Sequence, residues 1–179
     1  MIEHGIHTTT ADYWVHFIPP DFTLYYYQVR HCRDYIKQYN LPLVGGSSKD
    51  LNKTVTGRGY LIPKTADFLM GHRFRKSYVA DVDYLAMTDR EFGMWGQRLV
   101  DVLISKAEVW FPPFQITKLT SKADQFSGAD LLLNREVRQL RIEVKSERKQ
   151  TANIFVQSAE LNHRVHETGT GEYRPSELF

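Results

Sequence analysis

The chain contains few of the residues that build covalent cross-links or membrane spans. Its 179 residues include one cysteine, Cys32, which excludes an intrachain disulfide, a zinc site built on two or more cysteines and a cysteine-ligated iron–sulfur cluster. A reducing compartment is the simplest setting, so we expect a cytoplasmic protein. No apolar run approaches the ~20 residues of a membrane span, and the first residues lack the basic start and apolar stretch of a signal peptide.

Net charge is also low. Lys and Arg total 23 against 21 Asp and Glu, which gives +2, so the strongly basic composition of many nucleic-acid-binding proteins is absent. A surface for nucleic acid must therefore come from local clusters, although such runs also occur on ordinary solvated faces. Two basic clusters stand out, one in the segment HRFRK and one between Arg135 and Lys149. The candidates for DNA contacts come from these clusters and from the glycine-rich segment 44–59: Arg73, Arg75, Lys76, Arg148, Lys149, Lys53 and Arg58.

The composition is that of a globular protein, with 42% hydrophobic and 25% charged residues. The pattern becomes more regular near residue 88, which suggests three parts. We expect an α-rich N-terminal elaboration over 1–87 that recognises the substrate, a core over 88–166, and a loosely held tail over 167–179.

Alternation in 11–18 predicts a strand, which the two prolines that follow would end. After it we expect a helix that begins near Asp21 or Thr23 and continues to about residue 39. Segment 44–59 holds four glycines and indicates a long loop. A short helix is expected over 63–70.

The second part has a clearer pattern. Thr88 and Glu91 fit a capping box, and the helix that they begin should extend to about residue 106. Strands are expected over 108–111, 129–133, 140–145 and 153–157, followed by a helix over 158–165. This order predicts an α/β fold, with a mixed central β-sheet flanked by helices.

The residues with the most chemical meaning lie on two of these strands. Glu143 and Lys145 are two positions apart, so they share one strand face, and the hairpin brings Asp130 near them. Two carboxylates, with the carbonyl of Val144, can bind a hard divalent cation, and Lys145 can orient water or stabilise developing charge. The same spacing also occurs in surface ion pairs, and Asp130 alone could simply bond to a strand edge.

An aspartate, then ExK after a hairpin, with a glycine-containing helix upstream, resembles the PD-(D/E)XK nuclease superfamily over roughly 88–165. The matching segments are GMWGQRLVDVLISKAEVWFPP, FSGADLLL, RIEVKSER and NIFVQ. The resemblance implies a restriction-endonuclease-like core and a phosphodiesterase that acts on DNA with Mg²⁺, for which Mn²⁺ can substitute. It implies that Asp130 and Glu143 are metal ligands and that Lys145 is the catalytic lysine.

One departure from the resembled pattern concerns the helix motif GxxGE, whose glutamate joins the metal site. Here Gln97 occupies the glutamate position, and an amide keeps an oxygen acceptor but loses the charge. We rank Gln97 first as the helix contributor, Asp101 second because it lies one turn later on the same face, and Glu91 third because of its capping role. Gln157, after the last strand core, is a further neighbour of the site.

The sequence therefore predicts a Mg²⁺-dependent DNA endonuclease, which would cut duplex DNA as a homodimer. Two alternatives stay open. One is a non-catalytic DNA-binding module with a degenerate nuclease core, which the glutamine at position 97 favours. The other is an RNA-processing nuclease.

Overall fold

The computed structural model describes residues 5–47, 56–106, 115–118, 129–135 and 138–159. Within these ranges the chain forms nine strands and two α-helices. The strands are β1 Tyr13–Ile18, β2 Thr23–Gln28, β3 Val44–Ser47, β4 Thr56–Pro63, β5 Met70–Arg73, β6 Gln115–Lys118, β7 Leu131–Arg135, β8 Arg138–Ser146 and β9 Asn153–Ala159; the helices are α1 Val29–Gln38 and α2 Asp89–Ser105.

Six strands form the main sheet, in the order β5-β2-β1-β8-β7-β6. Neighbouring strands are antiparallel except β1 and β8, which are parallel. The sheet is therefore mixed, and the predicted α/β class is confirmed. A second, three-stranded antiparallel sheet has the order β3-β4-β9.

Both faces of the main sheet are covered, because the central strands are apolar on both sides. In β1, Val15 and Phe17 belong to the core that packs against α2, whereas Trp14 and Ile18 belong to the core shared with α1 and the second sheet. This is the alternation expected from the sequence. A strand buried on both faces has a nearly continuous apolar sequence, as β1 does.

Within the described part of the first 87 residues, the expected α-rich elaboration is not found. Their described part contains five strands and one α-helix. Strand β1 lies between β2 and β8, so this segment shares one sheet with strands that follow residue 88.

The helix expected to begin near Asp21 or Thr23 was wrong in its first half. Thr23–Gln28 is strand β2, which pairs with β1 through a tight connection over Pro19–Asp21. Only Val29–Gln38 is helical, with Val29, Cys32 and Ile36 buried. Threonine and tyrosine favour strands. Strand β1, on the other side of the turn, pairs with this segment, so it forms a strand and not a helix.

Three other expectations need correction. Segment 44–59 is not simply a loop, since β3 and the start of β4 lie in it. No helix forms over 63–70, where β4 ends and turns lead to β5. The strand over 153–157 exists as β9, but it pairs with β4 in the second sheet, and its last residues replace the start of the helix expected from 158. The strand expected over 108–111 and the rest of that helix lie outside the described residues.

The capping box of α2 is confirmed. Thr88 Oγ1 accepts a bond from Glu91 N–H, and Glu91 Oε2 accepts one from Thr88 N–H at 2.8 Å. Further along, a Cβ on Gly96 would lie 2.0 Å from Ser146 Oγ, whereas one on Gly93 would meet nothing within 4 Å. The helix therefore lies close to the end of β8 at Gly96. In the described part of the chain, no helix is both long and apolar enough to cross a membrane.

Candidate active site

Asp130 immediately precedes β7, and its backbone and side chain continue the hydrogen bonding between β7 and β8 by one more residue. The last strand pair is Leu131 with Ile142. Beyond it, Val144 N–H donates to Asp130 Oδ2 at 2.7 Å, so a side-chain oxygen takes the place of a strand carbonyl. The Asp130 N–H donates to the Ile142 carbonyl at 2.7 Å. These bonds fix the carboxylate beside Val144, near the end of β8.

Glu143 and Lys145 face the same side of β8, as strand alternation predicts. The Lys145 Nζ lies 2.7 Å from Glu143 Oε1, and Thr9 Oγ1 donates to Glu143 Oε2 at 2.9 Å. Glu143 is buried, with 6% of its surface exposed, whereas Lys145 is partly exposed. The pair is therefore not the surface ion pair that the spacing alone allowed.

Strand β1 supplies the surroundings of this pair. Trp14 is in register with Glu143, and its ring lies 5.3 Å below the Lys145 ammonium. His16, in register with Lys145, is fully buried and bonds through Nδ1 to Glu147 Oε1 at 2.6 Å. A cation over an indole face is stabilised by the ring quadrupole, so Trp14 helps to hold the Lys145 ammonium beside Glu143.

Helix α2 reaches the site through Gln97. Its Nε2 donates to Asp130 Oδ1 at 2.7 Å, so the amide contacts the carboxylate as a donor. Glu91 is exposed and committed to the capping box, which lowers the pKa of its carboxyl through the bonds from Thr88. Asp101 is partly buried on α2. Of the three helix candidates, Gln97 therefore joins the site through a hydrogen bond to Asp130.

The pKa of Asp130 is raised to about 6 from an ordinary 3.8. Burial is the main cause, and the nearby charge of Glu143 adds to it; the bond from Val144 N–H and the charge of Lys145 act in the opposite direction. The two carboxylates are thus close enough to interact electrostatically. A buried carboxyl whose pKa is raised beside a second acid is a candidate functional residue.

Asp130 and Glu143 fit a magnesium ion better than a larger cation, such as Ca²⁺, that needs many protein ligands. Mg²⁺ is usually bound by one or two carboxylates together with substrate phosphate and water, whereas Ca²⁺ takes six to eight oxygen ligands. Asp130 and Glu143 are two carboxylates, and each of their oxygens has a second lone-pair position. The carbonyl of Val144 points to the side of β8 on which Asp130 lies, because N–H and C=O of one strand residue share a direction. Among the described residues, no group of three or more His, Cys, Asp and Glu side chains could hold a metal.

Gln157 is buried at 9% exposure on β9, opposite Gly59 of β4. Its carbonyl accepts a 2.7 Å bond from Ile6 N–H. It therefore ties the N-terminal segment to the second sheet.

The basic candidates fall into different environments. Arg73, Arg75, Lys76, Lys149 and Arg58 are exposed, as phosphate-binding side chains would be. Lys53 lies outside the described residues.

Arg148 has a structural partner. It donates to the Met87 carbonyl at 2.7 Å, to the Thr88 carbonyl at 2.8 Å and to Asp89 Oδ1 at 3.0 Å, and its guanidinium stacks 4.6 Å from the Phe92 ring. Its position is explained by the start of α2.

Sequence reasoning missed Thr9 and Trp14 as parts of the site. Thr9 is 134 residues from Glu143 along the chain, and no motif joins them. Trp14 could have been suspected only from its place on a strand buried on both faces, since nothing in the sequence indicates that β1 would lie beside β8.

The comparisons with known proteins returned nothing for this chain: no family model, no curated protein and no solved structure matches it.

Proposed function

We propose that this protein is a divalent-cation-dependent nuclease that hydrolyses phosphodiester bonds in DNA. The observation that carries the proposal is that Asp130 bonds to Val144 N–H, between Glu143 and Lys145, which form an ion pair, and that the charge of Glu143 helps to raise the pKa of Asp130. Phosphodiester hydrolysis of this kind uses carboxylates that bind a divalent cation and a positive side chain that stabilises charge on the phosphate. A bound Mg²⁺ would supply Lewis acidity toward the phosphate and a lower pKa for water.

The chain's own residues have separate tasks in this proposal. Asp130 and Glu143 would hold the cation, with the carbonyl of Val144 as a further oxygen. Val144 N–H and Gln97 fix the orientation of the Asp130 carboxylate through two bonds of 2.7 Å. Thr9 does the same for Glu143 at 2.9 Å. Positioning of this kind lowers the cost of ordering the site when substrate arrives.

Lys145 is the proposed catalytic residue because its ammonium is partly exposed and lies beside the acids. It would stabilise negative charge that develops on the phosphate, or orient the attacking water. Cutting both strands of a duplex requires two such sites, so a homodimer belongs to the proposal.

A non-catalytic DNA-binding module is the second candidate, and one observation favours it. Both oxygens of Asp130 and both of Glu143 already contact protein groups, so the network is satisfied without a cation. Gln97, which lacks the negative charge of a glutamate, also favours the binding module.

Cleavage assays separate the two candidates. The full chain would be incubated with duplex, single-stranded and branched DNA and with duplex RNA, in Mg²⁺, Mn²⁺ or EDTA. Lys145→Met keeps the aliphatic stem over Trp14 and removes the charge, and we expect it to lower the cleavage rate at least about 100-fold. Lys37→Met, at an exposed lysine near the end of α1, is the matched control and should cut as the wild type does.

Equal cleavage by wild type and Lys145→Met would refute the nuclease proposal, whereas metal-independent DNA binding without cleavage would support the binding module. Cleavage of RNA alone would indicate the RNA-processing alternative.

A further inference from the structure

A polar groove lies beside the turn between β1 and β2, next to β2 and the end of β5. The groove encloses about 630 Å³, which is within the range of small-ligand sites. Its lining includes three cations (Lys64, Arg73 and Lys76), three aromatic rings (Phe22, Tyr25 and Phe74) and one acid, Asp21.

Asp21 is the unusual member of this set. It is 9% exposed, and its Oδ2 accepts a bond from Lys64. Its Oδ1 is buried and has no hydrogen-bond partner within the described part of the chain. A buried carboxylate oxygen without a donor is costly, so a ligand that brings an N–H or O–H group would be stabilised there.

Phe22 is held in an uncommon conformation beside this acid. Its φ is 50°, in the left-handed region, which a bulky residue rarely adopts. Its N–H donates to the Pro19 carbonyl at 3.0 Å, and its carbonyl accepts from Phe74 N–H at 2.9 Å. The backbone is thus fixed from both sides, and the Phe22 ring is presented at the groove with the Lys76 ammonium 5.1 Å from its centre.

Cations, an aromatic ring and an acceptor without a donor match the three parts of a nucleotide. We propose that the groove binds one nucleotide unit, with its phosphate at Arg73 and Lys76, its base against Phe22, and a base amine or sugar hydroxyl donating to Asp21 Oδ1. Every base has a π-face, so stacking of this kind is tolerant of sequence. The nucleotide is either free or part of a strand. The inference goes beyond the cleavage proposal, because this groove uses neither Asp130 nor a metal ion.

Binding in EDTA tests the inference apart from cleavage. The probes are a labelled single-stranded octanucleotide, a mononucleotide and inorganic pyrophosphate, and the readouts are fluorescence anisotropy and calorimetry. We expect Arg73→Ala/Lys76→Ala to weaken nucleotide binding at least about tenfold, because two charged phosphate contacts are lost. Arg30→Ala/Lys37→Ala removes the same charge from the exposed face of α1 and should change binding less than about twofold. Equal loss in both double variants would overturn the proposal.

Asp21→Asn distinguishes a nucleotide from a simple anion. The Lys64 ammonium would take the amide oxygen, which leaves the NH₂ group facing the ligand's donor. We expect nucleotide binding to weaken about fivefold or more, whereas pyrophosphate binding should stay equal or tighten because one negative charge is gone. Equal effects on nucleotide and pyrophosphate would overturn the proposal.

The probes also identify the source of the nucleotide. Similar affinity for the mononucleotide and the octanucleotide supports a free nucleotide, and binding of the octanucleotide alone supports a strand. The binding assay in EDTA reports on the groove and the cleavage assay in Mg²⁺ reports on Lys145, so a failed cleavage proposal and a failed groove proposal give different results.

Discussion

The Gln97 amide donates to the Asp130 carboxylate at 2.7 Å. A glutamate at this position would face Asp130 with a like charge instead of a donor. The residue that departs from the resembled motif therefore stabilises the acid at the site by hydrogen bonding.

Gln97→Glu should make the fold depend on divalent cation. Without metal, we expect the loss of a bond to a charged group to cost about 2 kcal/mol, or a melting temperature lower by about 4–8 °C for a chain of this size. With millimolar Mg²⁺ a third acid should tighten binding, and the melting temperature should recover.

Thermal unfolding in EDTA and in MgCl₂ measures the Gln97→Glu effect. Gln38→Glu, at an exposed site on α1, is the control and should show no Mg²⁺ response beyond that of the wild type. If Mg²⁺ restores nothing to Gln97→Glu, no cation binds beside Asp130.

The raised pKa of Asp130 gives a pH dependence with a definite sign. Its folded pKa of about 6 lies above the ordinary 3.8, so the folded state holds the proton more tightly than the unfolded state. The stability from this group is fully present below pH 4 and is lost as the pH rises through 6, by at most about 3 kcal/mol.

Asp130→Asn should remove this pH dependence. In EDTA at pH 7 the variant should be at least as stable as the wild type, yet it should gain nothing from Mg²⁺. Urea denaturation between pH 4 and 8 checks both expectations, with Asp34→Asn on the exposed face of α1 as control. If the unfolding free energy of the wild type does not fall relative to that of Asp130→Asn between pH 4 and 8, the pKa of Asp130 is not raised.

The two glycines of α2 make a matched pair. Gly96→Ala should destabilise the protein by about 1–3 kcal/mol, because its Cβ would lie 2.0 Å from Ser146 Oγ and 3.1 Å from the Phe17 ring. Gly93→Ala should stabilise it by about 0.5–1 kcal/mol, because alanine favours a helix and the space there is open. Denaturant unfolding of the two variants checks the opposite signs, and changes of equal sign would mean that α2 does not approach β8 at Gly96.

Arg148 and Lys149 should separate stability from DNA binding. Arg148→Ala removes three bonds to the start of α2, and we expect a loss of about 1–3 kcal/mol in unfolding free energy. Lys149→Ala, at an exposed side chain, should leave stability within about 0.5 kcal/mol and lower the slope of log affinity against log salt by about 1. Binding titrations at several salt concentrations decide this, and an unchanged slope for Lys149→Ala would remove that residue from the DNA contacts.

Local patterns predicted a good part of this structure. The capping box of α2, the β7–β8 hairpin and the shared face of Glu143 and Lys145 depend on neighbours a few positions apart, so the sequence reveals them. Strand β2 was missed because its tyrosines also fit a loose helical period. The PPD turn before it was the available signal for a hairpin.

Long-range features were harder to predict. Strand β4 was hidden by its glycines, yet a Cβ at Gly59 would lie 2.5 Å from the Val156 carbonyl, where the β4–β9 register shifts. A glycine inside a strand often marks such a close approach. Thr9 and Trp14 reach the site only through the placement of β1, which no local pattern encodes.

The position of β1 between β2 and β8 also governs when the candidate site can exist during synthesis. A ribosome releases Thr9 and Trp14 early, but their partner Glu143 follows 134 residues after Thr9. Contacts so distant in sequence slow folding, and until β8 emerges, β1 carries an unpaired backbone edge open to other chains. The same geometry means that a shortened chain beginning at residue 88 would leave β8 with that open edge and Glu143 without its threonine.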